Sequence, residues 1–491
     1  MEESTEYTKV TDIGQLNDPT LIRELKKRFK GGRLTFLITT KDSQTQVEAL
    51  APEKELGSEG LEPLWQSLVG NAVTFLKRSD PREWATGYGE PSSPEELHSL
   101  QAFGVERLTE YFTQFKRFEE ILYGAVDYYR NHTVHVVRVW ILGTLLLDDW
   151  FLGSEYPSIE FFDYVKKSTG KQISELIDAQ EIQAMWCIIA LTHDLGYPLQ
   201  KVDNINEQTR RMLRQYAKVN LQDLNFDVPQ QHQFINDFIL KFISSQTIFA
   251  DEYAPRSEPK QRPWPDKERV FRTHVQSKYY LKYSKSLEDF EHGIFSSILL
   301  MRSLTYFLES DFEMDELKPL DYQDARQCAI RREILRAIAC HTCGEIYHMR
   351  PDTLGCLLIL CDELQSWGRP TFEEMEEMTV TGAPLPTAKL NEYSAHAIDY
   401  ELELPGDKHV LCVRTRELFK RFHKILRVAV DAPEREFTCQ ITVKSNQGLP
   451  DIYKFRFEAE KPRVRFTRDG HSWDPWIQET KISGGKAILP R

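Results

Sequence analysis

From about Leu97 to Thr371, apolar residues recur at three- and four-residue intervals. The period runs through "VERLTEYFTQFKRFEEILYGAVDYYRNHTVHVVRVWILGTLLLDDW", "SELIDAQEIQAMWCIIALTHDLG", "LEDFEHGIFSSILLMRSLTYFLE", "DARQCAIRREILRAIACHTCG" and "DTLGCLLILCDELQSW". It specifies helices, and this many in succession specify an all-α domain with a large core. Past about Ser394 the period changes to two: "AIDYELELPGDKHVLCVRT", "REFTCQITVKS" and "DIYKFRFEAEK" alternate like strands, with "RELFKRFHKILRVAV" as an amphipathic helix between them. Near the N-terminus, "LIRELKKRFKG" reads as a basic helix ending at Gly31, and "RLTFLITTKDSQTQVEALAP" as two strands around a polar turn. "SDPREWATGYGEPSSPEEL" reads as a linker.

The expected fold is therefore multidomain and mainly α. An α/β segment over 1–96 carries the linker at its end, an all-α domain covers 97–393, and an α+β domain covers 394–491. At 491 residues, two or three domains are expected. Within the central domain, 202–285 reads as an insertion containing the polar loop "DEYAPRSEPKQRPWPDKERV".

A net charge of −13 argues against duplex DNA as a partner, which needs a basic footprint, but leaves room for a local basic pocket. The acidic, polar start "MEESTEYTKVTDIGQLNDPT" does not read as a secretory signal, and the runs "VWILGTLLL" and "LGCLLILC" are too short to span a bilayer. A cytoplasmic protein without a membrane partner is expected. The eight cysteines mostly sit in apolar segments and read as buried small hydrophobes; the single CxxC of "CHTCG" has zinc-type spacing but, with no second pair, is a weak zinc signal.

The chemistry lies in histidines and aspartates placed at the ends of apolar runs. These are His132 in "YYRNHTVHVVRV", His193 and Asp194 in "LTHDLGYPL", His292 in "DFEHGIFSS", His341 in "AIACHTCGE" and Asp362 in "LILCDELQSWG". An ionised carboxylate in such a setting costs several kcal/mol unless it is paired or bound to a metal, and a divalent cation would compensate both aspartates.

The ordered set H…HD…D, with Gly196 after the doublet, resembles the HD-domain superfamily of metal-dependent phosphohydrolases over roughly Leu97 to Thr371. The resemblance implies an HD-type helical bundle whose core holds a metal on His132, His193, Asp194 and Asp362. His292 and His341 stand where two-metal members carry further ligands, with Asp194 bridging. The HD-GYP phosphodiesterases differ: Tyr197 stands where they have lysine, and His341 is followed by Thr342 rather than a second histidine.

The imidazole and carboxylate mixture suits one or two ions of Mn, Fe, Zn, Co or Ni, with Mg also admitted. The expected reaction is hydrolysis of a phosphate ester, and the resemblance implies a nucleotide as substrate. A nuclease or cyclic nucleotide phosphodiesterase, and a catalytically silent scaffold that binds a ligand or partner protein, are the alternatives. Asp194, Tyr197, Arg130 and Lys201 are the candidate catalytic residues; Arg138 and Arg369 are further candidates for phosphate oxygens. His135, one turn beyond His132, reads as a support behind the ligands, and His348 as the alternative to His341. Trp140, Trp150, Trp186 and Trp367 read as core. The basic "RTHVQSKYYLKYSKS" offers a surface for single-stranded nucleic acid or a nucleotide. A homo-oligomer is compatible with all of this.

Overall fold

The computed structural model describes residues 7–39, 41–58, 60–78, 104–122, 132–214, 230–252, 268–307, 320–346, 349–365, 367, 385–431, 437–446, 452–458 and 463–474. Two compact units divide the chain: Met1–Val10 with Asn17–Gln365, and Thr11–Leu16 with Ser366–Arg491. The N-terminal segment expected as a separate α/β domain thus belongs to the helical unit, and the second boundary falls at Gln365 rather than near 394. Arg130, His348, Arg369, the linker over 79–103 and the interior of the polar loop over 253–267 lie outside the described residues.

The helical unit begins with α1 (Asp18–Lys30), α2 (Lys41–Ala49) and α3 (Leu61–Arg78). Asn17 caps α1 by accepting from Thr20 N at 2.9 Å, Pro19 occupies its first turn, and Gly31 follows its end as expected. The two strands expected after Gly31 are absent among the described residues. A 3-10 turn at Thr35–Thr39 and α2 replace them. Leu34 and Leu37, three apart, are both buried, as is Phe36, and tertiary burial overrides the strand propensity of "LTFLITT".

Next come α4 (Val105–Leu122), α5 (His132–Leu152), α6 (Glu160–Thr169), α7 (Ile173–Leu176), α8 (Ala179–Thr192) and α9 (Tyr197–Leu213). Along α5 and α8 nearly every described side chain is buried, as befits helices that are apolar all round and run through the middle of a bundle. Trp186 Nε1 on α8 donates to Trp140 O on α5 at 3.1 Å, so these tryptophans are core. Further elements are α10 (Gln230–Ser244), the antiparallel hairpin β1 (Ser245–Glu252) and β2 (Glu268–Val275), α11 (Ser277–Glu288), α12 (His292–Ser303), α13 (Tyr322–Thr342) and α14 (Leu354–Leu364). The hairpin closes the ends of the expected polar insertion. No described helix is long and apolar enough to cross a membrane.

Arg138 of α5, a candidate phosphate ligand by sequence, is instead engaged inside the unit. Its Nε and Nη2 donate to the Asp18 carboxylate at 2.7–3.0 Å, with both side chains buried.

The second unit is a six-stranded sheet in the order β3-β4-β5-β6-β7-β8, from β3 (Thr387–Tyr393), β4 (Ala397–Leu404), β5 (Thr438–Ser445), β6 (Ile452–Glu458), β7 (Arg463–Arg468) and β8 (His471–Ser472). Only β4 and β5 are parallel among its described pairs, and α15 (Lys408–Asp431) connects them. "HVLCVRT", expected in a strand, opens this helix: Asp407 Oδ1 accepts from His409 N and Val410 N. Leu411, Thr415, Leu418, Phe422 and Ile425 then bury one face at helical spacing.

Candidate metal centre

The doublet His193-Asp194 occupies the turn between α8, which ends at Thr192, and α9, which starts at Tyr197. Gly196 and Pro198 open α9 rather than ending the helix before it, with Pro198 in the first turn where its missing N–H is not needed. Gly196 is required by close approach. A Cβ there would lie 2.8 Å from both Phe295 Cβ and Ser296 N, and nearer still to the carbonyl oxygen of His292. Ser296 Oγ locks the contact, accepting from Gly196 N at 2.8 Å and donating to His193 O at 2.6 Å. Gly293 plays the same part toward α13, where a Cβ would lie 2.6 Å from Ile338 O and 3.0 Å from His341 Nδ1.

Five imidazoles are thereby gathered, and each has its Nδ1 held by an oxygen. His132 Nδ1 donates to Glu119 Oε1 at 2.8 Å, His193 Nδ1 to Ala190 O at 2.8 Å, His292 Nδ1 to Gln200 Oε1 at 2.6 Å, His341 Nδ1 to Ile338 O at 2.6 Å, and His135 Nδ1 to Gln365 Oε1. Because those acceptors require a proton on Nδ1, the lone pair of the neutral ring is on Nε2.

Four of the Nε2 atoms converge on Asp194: His292 at 3.2 Å and His341 at 4.0 Å from Oδ1, His193 at 3.5 Å and His135 at 3.7 Å from Oδ2. His135 Nε2 is also 2.9 Å from Asp362 Oδ1. His292 and His341 bring their Nε2 atoms within 3.1 Å of each other. Two sets of ligand atoms lie close enough to hold an ion: His135, His193 and Asp362, and His193, Asp194 and His341.

The donor set fits a transition metal. His193 Nε2 is buried with no hydrogen-bond partner, a costly state for an imidazole nitrogen unless a cation takes its lone pair. Burial works against the Asp194 carboxylate, yet His193, a hydrogen bond with His292 and the charge of His132 outweigh it and hold its pKa well below the usual carboxylate range. Burial, then His292 and His193, push the His341 pKa far down, which keeps that ring neutral, the ligating form.

His193, Asp194, His292, His341 and Asp362 are thus brought together as expected. His132 stands apart from both ligand sets, and the position expected for it is held by His135. At the start of α5, His132 and Thr133 donate their backbone N–H groups to the Glu119 carboxylate, and the His132 ring lies on Tyr197 with centroids 3.6 Å apart. Lys201 Nζ lies over the other candidate, Tyr197, 4.8 Å from its ring centroid. Asp362 and His292 retain 14 % side-chain exposure while His135, His193 and His341 have none, so the centre opens on the side of the former pair.

Sequence reasoning missed His135 as a ligand, because α5 is buried on every side and its apolar pattern does not say which histidine faces Asp194. It also missed Glu119, Gln200 and Gln365, whose roles rest on contacts 13, 92 and 230 residues away in the chain. Compared with known proteins, the chain matches no family model, no curated protein and no solved structure.

Proposed function

We propose that the helical unit is a metal-dependent phosphohydrolase acting on the phosphate ester of a nucleotide. The observation that carries this reading is the convergence of four Nε2 atoms on Asp194, each aimed by a hydrogen bond at its Nδ1. His135, His193, Asp194 and Asp362 would hold one ion of Mn, Fe, Zn, Co or Ni, and Asp194, His292 and His341 a second. Such an ion supplies Lewis acidity: it polarises a phosphoryl oxygen and acidifies water.

The chain's own groups supply the rest. Gln365, Gln200 and two helix carbonyls fix the ring orientations, so little reorganisation accompanies binding. Lys201, partly exposed on the first turns of α9, offers a cation for a phosphate oxygen. His132, with Nδ1 fixed by Glu119, is positioned to hold or release a proton at Nε2. The nucleotide follows from the resemblance to the HD-domain superfamily.

The test is elemental analysis of the purified chain beside Asp194→Ala, then a phosphate-release screen with Mn over mononucleotides, cyclic dinucleotides and short oligonucleotides. Bound transition metal that is lost in Asp194→Ala, with release from mononucleotides, supports the proposal. Release from the diesters alone would shift it to a phosphodiesterase or nuclease. Metal-free protein, or metal without hydrolysis of any ester, would overturn it.

A further inference from the structure

Along α13, Glu333, Arg336, Ala337 and Cys340 form a stripe at helical spacing that lines a cavity of about 460 Å³, closed by parts of α6, α11, α14 and the segment before α14. None of the metal-centre residues lines it. The charges of this cavity are unevenly satisfied. Arg336 donates from Nη1 to Glu160 at 3.1 Å and from Nε to Ile243 O at 3.0 Å, and Arg350 donates to Asp163 at 2.7 Å and to both oxygens of Asp352. These pairings occupy Glu160 and Asp163.

Glu333 has no hydrogen bond or ion pair among the described residues, although it lines the cavity and burial raises its pKa. Tyr283, only 2 % exposed, also lines the cavity, and its hydroxyl has no partner among the described residues. Neither group is paired by a described neighbour, so both keep hydrogen-bonding capacity for a molecule that enters the cavity they line. A carboxylate accepts two parallel N–H bonds from one planar edge, and the cavity volume is in the range of small-molecule sites.

We propose that this cavity is a binding site for a small molecule with a planar edge of adjacent N–H donors, held by the Glu333 carboxylate with a hydrogen bond to the Tyr283 hydroxyl. A guanine base and a guanidinium group share that chemistry. The site is separate from the metal centre, although α13 and α14 contribute to both.

Calorimetric titration of the full chain with guanosine, agmatine and adenosine tests this. Guanosine or agmatine binds, and which of them binds identifies the source. Glu333→Gln weakens binding about tenfold or more, and Tyr283→Phe weakens it severalfold. Asp194→Ala leaves it unchanged, so a failed metal centre and a failed cavity site give different results. If Glu333→Gln does not fold, Tyr283→Phe alone decides. No binding of either compound at millimolar concentration, adenosine binding equally well, or binding indifferent to the substitutions in folded protein would overturn the proposal.

Discussion

Gly196→Ala probes how tightly the centre depends on helix approach. The added Cβ would lie 2.8 Å from Phe295 Cβ, where ordinary carbon contacts are about 3.5–4.0 Å. The start of α12 must then retreat by about 1 Å, since Ser296 N and the His292 carbonyl are backbone atoms that cannot rotate away. His292 rides on that turn, 3.2 Å from Asp194, and metal ligands tolerate only about 0.2 Å of displacement. We expect Gly196→Ala to lose the ion that needs His292 and keep the one on His135, His193 and Asp362, halving the metal stoichiometry in elemental analysis. Overpacking should also cost about 1–3 kcal/mol of stability, read as a lower Tm. Gly70→Ala is the matched control: on α3 its Cβ would meet nothing nearer than 3.9 Å, so it should keep its metal and match or exceed the parent Tm. Full metal content and an unchanged Tm in Gly196→Ala would refute the close-approach argument.

Three further outcomes follow from contacts already described. His135→Ala should abolish binding at the Asp362 side of the centre, whereas His132→Ala should retain metal and lose hydrolysis; equal metal loss in both would return His132 to the ligand set. Metal-stripped protein should lose stability as pH falls below 6.5, the ordinary histidine value, because the unfolded chain protonates His341 while the folded one does not. That slope approaches about 1.4 kcal/mol per pH unit, and it should flatten in His341→Asn. Asp194, whose pKa is depressed, adds a second loss at lower pH, as acid passes the ordinary carboxylate value of 3.8. Asp18→Ala should destabilise the helical unit by about 3 kcal/mol in chemical denaturation, since it takes from buried Arg138 its buried carboxylate partner and leaves the more exposed Glu55 at 3.4 Å, and should leave the metal content of the folded protein intact.

The parts of this molecule legible in the sequence are those set by local period. The buried helices α5, α8 and α14 announce themselves by apolar runs, α13 by apolar residues at helical spacing, and α1 by the basic run that Gly31 ends. Asp194 and Asp362 stand out because a carboxylate ending such a run needs compensation. What the sequence conceals is set by tertiary burial. "LTFLITT" has strand propensity, but its Thr35–Thr39 portion folds as a 3-10 turn with Leu34 and Leu37 buried together. "HVLCVRT" alternates over a few residues, yet belongs to a helix whose buried face is visible only once Leu411, Thr415 and Leu418 are aligned. The choice between His132 and His135 is the same problem within one helical turn.

The five Nδ1 anchors also imply an order of assembly. His193 and His341 are oriented by carbonyls three residues earlier in the chain, so a segment that has merely become helical already aims both rings. His135 and His292 wait for glutamines delivered by distant helices, and His132 for a glutamate on the helix before it. A partly folded chain therefore offers at most two well-aimed nitrogens, too few to retain an ion against water. An ion proposed for this centre would then be captured late, as a mark of finished packing rather than a seed for it.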